Sequence, residues 1–215
     1  EMPKSSASLF LEKQMIRPHC LKGMLEYRFS ESELTFLFPK EWIVYKYDEH
    51  RFYRYLSGAG LKGVDFIAIH KGDLILIEVK NYATRFEKKD HDPMQILLND
   101  QQKYKNHFIR KFKDTFKLLQ IIQQYYNRKW WYRKLFPLYK KYTSEAKVLR
   151  TEVGFWSKAA ELLEQADQVK LVLWLELAPG YDKEKATILN NKFQQAIQLA
   201  FPKEMTFIIA HSRAP

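Results

Sequence analysis

A single cysteine, Cys20, leaves no partner for an internal disulfide, so nothing in the 215 residues asks for an oxidising compartment. Zinc-type ligand spacing is missing as well: His70 stands beside a turn, His91 lies between Asp90 and Asp92, and both read as loop residues. No apolar run approaches the ~20 residues that a membrane-crossing helix needs. The opening stretch EMPKSSASLF lacks the apolar core of a signal peptide. An intracellular, cytoplasmic protein is therefore the expectation. Internal repeats, low-complexity tracts and linker-like stretches are also wanting, which leaves one α/β domain over residues 1–215 as the simplest organisation.

Hydrophobic residues make up 46% of the chain, enough to fill a core of that size, so disorder is excluded. The formal net charge is +11, and its distribution is uneven. Residues 101–142 hold twelve Lys or Arg against one acid, Asp114, and so account for the whole excess. Such a balance speaks to partners rather than to fold.

Along the chain, ESELTFLF suggests a short helix or strand before Pro39. From Trp42 the text begins as a strand and turns helical after Asp48, a plausible N-cap, with Gly58 as the stop. VDFIAIH and LILIEVKNY are β-rich runs separated by Lys71 and Gly72, which reads as a hairpin. Both faces of these strands are largely apolar, and such strands lie in sheets covered by helices on each face. After Pro93 a helical period carries Phe108, Phe112, Phe116, Leu119, Ile122, Tyr126 and Trp130, until Pro137 interrupts it. A shorter helix is expected from Ser157, then a strand (VKLVLWLEL), a turn at Pro179 and Gly180, a helix from about Asp182 to Ala200 and a last strand (MTFIIAHS).

If Lys71 and Gly72 form a two-residue loop, Asp65 falls directly opposite Glu78, and alternation puts Lys80 on the same face. A G1 bulge at Gly72 would shift that pairing. Directly opposed side chains stand ~4.5–5.5 Å apart at Cβ, where like charges destabilise a sheet. A divalent cation between the acids removes the repulsion, and hard Mg²⁺ prefers carboxylate oxygens and water. Lys80 could orient or deprotonate an attacking water, or stabilise charge developing on a phosphate.

The stretch GVDFIAIHKGDLILIEVKNY, residues 63–82, resembles the Asp, spacer, Glu-x-Lys pattern of PD-(D/E)XK nucleases. The resemblance implies a restriction endonuclease-like fold, a central mixed sheet flanked by helices on both faces. It implies a deoxyribonuclease dependent on Mg²⁺ or Mn²⁺, with Asp65 and Glu78 as the acid pair, Lys80 as the lysine and the Val79 carbonyl as a further metal ligand. Many members add a glutamate on the preceding helix, for which Glu49 is the candidate, and a glutamine on the next helix, for which Gln101 and Gln102 both qualify. The proline that often precedes the first aspartate is replaced by Val64. Glu-x-Lys also occurs at Glu87–Lys89 and Glu145–Lys147, but without strand context on either side.

Plainer readings stand beside these. Asp65 and Glu78 could decorate a solvent face, although Ile67, Ile69, Leu74 and Leu76 share that face and isolated carboxylates there need a compensating partner. Glu49 could be a first-turn charge at a helix N-terminus, and Glu176 a strand-end surface residue. Within the basic, aromatic-rich segment at about 94–142, Lys103, Lys105, Arg110, Lys111, Lys113 and Lys117 form a solvated helix face or track phosphates. Arg128, Lys129, Trp130, Trp131, Arg133 and Lys134 mix cations with rings, as a surface for stacking and phosphate contact does. Two other functions fit the same residues: a catalytically inactive nucleic-acid-binding module on this fold, or a basic protein docking on membranes or partners. A homodimer is left open.

Overall fold

Two tight turns with left-handed backbone shape the β-structure. Ser32 and Glu33 (φ 50° and 65°) and Lys71 and Gly72 (φ 50° and 85°) each put consecutive residues at positive φ. This is the type I′ geometry whose twist matches that of antiparallel strands, and glycine adopts it without a Cβ penalty at Gly72. In the computed structural model, which describes residues 26–82, 100–177 and 183–211, the first turn joins β1 (Glu26–Glu31) to β2 (Leu34–Pro39). The second joins β4 (Phe66–His70) to β5 (Asp73–Asn81). A two-residue loop at Lys71 and Gly72 requires the expected register, and Phe66 pairs with Ile77, Ile67 with Leu76 and His70 with Asp73.

β3 (Ile43–Lys46) lies antiparallel on the outer side of β4. β6 (Val169–Glu176) and β7 (Thr206–Ala210) add parallel on the far side of β5. The five-stranded mixed sheet thus runs β3-β4-β5-β6-β7 with β5 at its centre. Between β3 and β4 lie a 3₁₀ turn (Tyr47–Glu49) and α1 (Arg51–Ser57). Between β5 and β6 come α2 (Gln101–Asn127), α3 (Trp130–Lys134), α4 (Phe136–Tyr142), α5 (Glu145–Leu149) and α6 (Glu152–Leu163). α7 (Lys183–Ala200) leads to β7.

Side-chain alternation gives each face of the sheet its own core. Ile67, Ile69, Leu74, Leu76, Leu171 and Leu173 pack against α2, α6 and α7 through Phe108, Phe112, Leu119, Phe155, Trp156 and Phe193. Phe66, Ala68, Ile75, Ile77, Val79, Val172 and Trp174 face the other way, onto Phe36, Phe38 and Trp42. The expected helical flank is present on the first face. Among the described residues the second face is covered by the β1–β2 hairpin instead of by helices. Its phenylalanines meet the sheet edge-on or tilted, Phe36 on Trp174 at 5.2 Å and Phe29 on Phe66 at 5.7 Å between ring centroids. Burying each such ring contributes about 1.5–3 kcal/mol.

Three expectations about helices are corrected. α1 starts at Arg51, and its cap is His50, whose Nδ1 accepts from the Phe52 N–H, so Asp48 is not the N-cap and Glu49 lies in the 3₁₀ turn ahead of the helix. α2 ends at Asn127, well before Pro137, which begins α4 instead, so Trp130 leaves the apolar stripe and is 65% exposed. α6 begins at Glu152 under a Thr151 cap, earlier than Ser157, because the Thr151 side chain accepts from the Gly154 N–H. Residues 94–99, Pro179 and Gly180 lie outside the described residues. Among the described residues no helix is long and apolar enough to cross a membrane.

The segment leading into β4 is tightly packed. A Cβ at Gly63 would lie 2.5 Å from the ring of Tyr47, which is itself fully buried, and 3.2 Å from Leu118. Neither neighbour has free space to retreat into. Gly63→Ala is expected to cost about 1–3 kcal/mol by overpacking and to lower Tm by roughly 3–10 °C in thermal unfolding. An unchanged Tm would mean that the Tyr47 ring yields without cost.

Candidate active site

Glu78 sits near the C-terminal end of the central strand with 0% exposure. The hairpin register carries Asp65 to the position opposite it, one residue before β4 begins. Three contacts hold that entry segment. The Lys62 N–H donates to Asp114 Oδ2 (3.2 Å) and the Val64 N–H to Thr115 Oγ1 (3.0 Å), both side chains from α2, while the Tyr47 N–H donates to the Asp65 carbonyl (2.8 Å). Asp65 then turns its carboxylate toward β5, where Oδ2 accepts from the Val79 N–H at 2.7 Å.

Two ammonium groups complete the cluster. Lys80 Nζ lies 2.7 Å from Glu78 Oε1 and donates to the Val79 carbonyl at 3.1 Å. Lys111 of α2 donates to Glu78 Oε2 at 2.7 Å and to Asp65 Oδ1 at 3.4 Å. The three side chains expected together, Asp65, Glu78 and Lys80, do meet on one side of the sheet. Lys111 joins them.

Burial raises the Asp65 pKa above the ordinary carboxylate value, the Glu78 charge adds to the rise, and Lys111, Lys80 and the Val79 N–H oppose it. Burial works against the Lys111 ammonium, but the Glu78 and Asp65 charges outweigh it and raise its pKa. His107, one turn earlier on α2, is pushed below its ordinary value by burial and by Lys80, Lys111, Lys62 and Arg110. It is thus held as neutral imidazole among cations.

A divalent ion can be tested against the donor set. Asp65 and Glu78 already converge on one cationic group, the Lys111 ammonium, and the Val79 carbonyl adjoins them with a lone pair turned to Lys80. Hard oxygen donors of this kind suit Mg²⁺ or Mn²⁺. Two carboxylates and one backbone carbonyl fit, with water completing the shell. Among the described residues no group of three His, Cys, Asp or Glu side chains forms a metal cluster.

The other expected residues fall elsewhere. Glu49 is 68% exposed and pairs with Lys46 at 2.9 Å. Its neighbour Asp48 is the upstream acid that senses Asp65: burial raises its pKa first, and the Asp65 charge contributes to the rise. Gln102 bonds Asn106 on the helix surface. Of the basic residues, Lys103, Arg110, Lys113, Lys117, Arg128, Arg133 and Lys134 are exposed. Arg110, Lys113 and Lys117 form one row along α2 beside an open cleft of about 510 Å³ closed on its far side by Ala59, Gly60 and Leu61. Lys105 is partly buried, and Lys129 rests on the Tyr125 ring at 4.6 Å. Trp131 packs against Tyr126 and Tyr132, which leaves Trp130 as the exposed indole of the pair.

Lys111 was expected on the solvated, phosphate-tracking face, and that placement is corrected. A signal existed in the sequence: counting from Phe108, position 111 falls on the buried stripe with Phe112, Thr115 and Leu118. A lysine on such a stripe requires a carboxylate to meet it. Asp114 and Thr115 were missed for the same reason, since their backbone partners at Lys62 and Val64 are distant in sequence. Thr115→Val keeps the shape but strands the buried Val64 N–H, and is expected to cost about 1–3 kcal/mol. In urea the transition midpoint should fall with an unchanged slope; an unmoved midpoint would show that this bond does not anchor the strand.

A family model described as nuclease-related domain, NERD, matches residues 23–148, more than half of the chain. The matched span runs from β1 through the Asp65 segment, both strands of the hairpin and α2, so it includes every residue of the cluster. Neither the curated proteins nor the solved structures yield a match. With a five-stranded mixed sheet flanked by helices and an Asp, Glu-x-Lys group on its central hairpin, the chain belongs to the nuclease-related domain family, a PD-(D/E)XK-like nuclease domain.

Proposed function

We propose that this protein is a nuclease that hydrolyses phosphodiester bonds of DNA with Mg²⁺ or Mn²⁺ at the Asp65, Glu78 and Lys80 site. The observation that carries the reading is the convergence of two carboxylates from adjacent strands on a single cation position, with a further ammonium two residues along the same strand. Asp65, Glu78 and the Val79 carbonyl would hold the metal, which supplies Lewis acidity at the scissile phosphate and lowers the pKa of a bound water. Lys80 is held by Glu78 and by the Val79 carbonyl. From there its ammonium orients the attacking water and stabilises charge on the phosphate oxygens.

Substrate would run along α2. Arg110, Lys113 and Lys117 line an open cleft on the outer side of the helix whose inner side delivers Lys111 to the acids, so this row would grip the substrate backbone away from the cluster itself. Trp130, Arg128, Arg133 and Lys134 extend the basic surface beyond the end of α2, where an exposed indole can stack on an unpaired base. DNA is preferred to RNA on family resemblance, and the assay includes both.

One observation favours a second reading, a nucleic-acid-binding module that no longer cuts: Lys80 and Lys111 together balance the charge of both acids without a metal.

Incubation of plasmid, single-stranded DNA and RNA with Mg²⁺ or Mn²⁺ is expected to give chelator-sensitive cleavage of DNA. Asp65→Ala and Glu78→Ala should abolish it, and Lys80→Ala should slow it by on the order of 10²–10⁴-fold with the fold intact. Cleavage that persists in Asp65→Ala would overturn the site; cleavage of RNA alone would overturn the substrate. For the basic row, DNA affinity of the Asp65→Ala protein should fall with salt. Adding Arg110→Ala, Lys113→Ala and Lys117→Ala should flatten the log–log slope by about 2–3, at roughly 0.9 per lost phosphate contact. An unaltered slope would place the substrate elsewhere.

A further inference from the structure

Glu78 has no exposure, and Asp65 stands beside it with its side chain only 13% exposed. An uncompensated buried charge is strongly destabilising. The chain therefore needs positive charge in this pocket merely to fold, before any reaction is considered. It supplies two ammonium groups, and they are held differently. Lys80 stands on the same strand as Glu78 and is tied also to the Val79 carbonyl. Lys111 arrives from α2 on a four-carbon stem, 15% exposed, and its ammonium contacts are to the two carboxylates, one oxygen of each.

Asp65 and Glu78 are also the side chains that would hold a divalent ion. Two carboxylates balance two ammoniums, so a doubly charged ion entering the same position puts two positive charges in excess; one is relieved when a lysine leaves as the surplus group, and the substrate phosphate meets the other. The surplus group is the one whose place the ion takes. Lysine suits exchange of this kind, because its charge is compact, its stem is flexible, and it lacks the planar fork by which arginine locks a carboxylate.

We propose that Lys111 is a tethered counter-ion: it occupies the metal position in the metal-free protein, holds the acid pair together there, and is released toward the substrate phosphate when the divalent ion binds. This rests on the metal-dependent reading above. It assigns to one residue both the metal threshold of the site and a second positive charge for the scissile phosphate. Exchange also couples the two ligands, since a phosphate that receives the displaced ammonium makes the metal bind more tightly. The arrangement keeps the acid pair compensated by positive charge whether or not metal is present.

The test measures Mn²⁺ binding to the full chain by calorimetry, without nucleic acid, in wild type, Lys111→Gln and Asp65→Asn. Lys111→Gln should bind Mn²⁺ on the order of tenfold more tightly, because the competing cation is gone. Its Tm should lie below wild type without metal and recover when Mn²⁺ is saturating. Equal or weaker Mn²⁺ binding in Lys111→Gln overturns the counter-ion role while leaving the metal site intact. If wild type and Asp65→Asn take up Mn²⁺ alike, the metal reading falls, and this inference with it. Should Lys111→Gln fail to fold even with Mn²⁺, Lys111→Arg decides. Its guanidinium grips both carboxylates and should weaken Mn²⁺ binding by on the order of tenfold, and unchanged affinity overturns the proposal.

Discussion

A carboxylate with no access to water, Glu78, is placed on the central strand of the sheet, and the surrounding structure answers to its charge. Desolvation of an ion is affordable only where opposite charge lies within contact distance and the remaining lone pairs are met. Here Lys111 hydrogen-bonds Oε2 and Lys80 stands as the counter-charge to Oε1, each at 2.7 Å, while Oε1 itself has no hydrogen bond among the described residues. Asp65 shares Lys111 and takes a second bond from the Val79 N–H. Removing any one of these groups leaves the others with an unbalanced charge in a pocket walled by Ile67, Leu76 and Leu173.

Helix α2 is the element that makes this balance possible. Phe108, Phe112, Leu119 and Ile122 anchor it on the sheet, Lys111 reaches the acids, and Asp114 and Thr115 fasten the backbone at Lys62 and Val64 that delivers Asp65. Thr115 also donates to the Lys111 carbonyl, so the anchor and the counter-charge are tied within one turn of helix. Packing, positioning and electrostatics are therefore coupled along five consecutive residues, 111–115. The exposed edge of the same helix carries Arg110, Lys113 and Lys117, and this is how one amphipathic segment serves the core, the site and the basic cleft.

The hairpin on the opposite face has a quieter part. Phe36, Phe38 and Phe29 seal the apolar side of β4 and β5, and Asn81 at the end of β5 donates to the Ser32 carbonyl in the hairpin turn. With that side closed, the alternation of the strand leaves Val79 inward and Glu78 and Lys80 on the helix side. A shift of register by one residue would put the acids among the phenylalanines, which is a strong penalty against mispairing.

The sequence by itself determined the strands of the five-stranded sheet, the hairpin register and the common face of Asp65, Glu78 and Lys80, but not the first hairpin, whose second strand, Leu34–Pro39, it left open between helix and strand. These follow from a period of two and a two-residue turn, both local properties of contiguous residues. It also determined that a long helix with a basic outer side follows Pro93, since that period repeats within one segment, though not that this helix stops at Asn127. Only the tertiary structure decided that Lys111 turns inward to the acids and that Asp114 and Thr115 hold the Asp65 segment. It likewise decided that His50 caps α1, that Glu49 turns to Lys46, and that the hairpin covers the second face. The site contacts join residues 33 to 52 positions apart. A side chain's choice between solvent and a buried partner at that separation depends on where the whole helix docks, which no local pattern specifies.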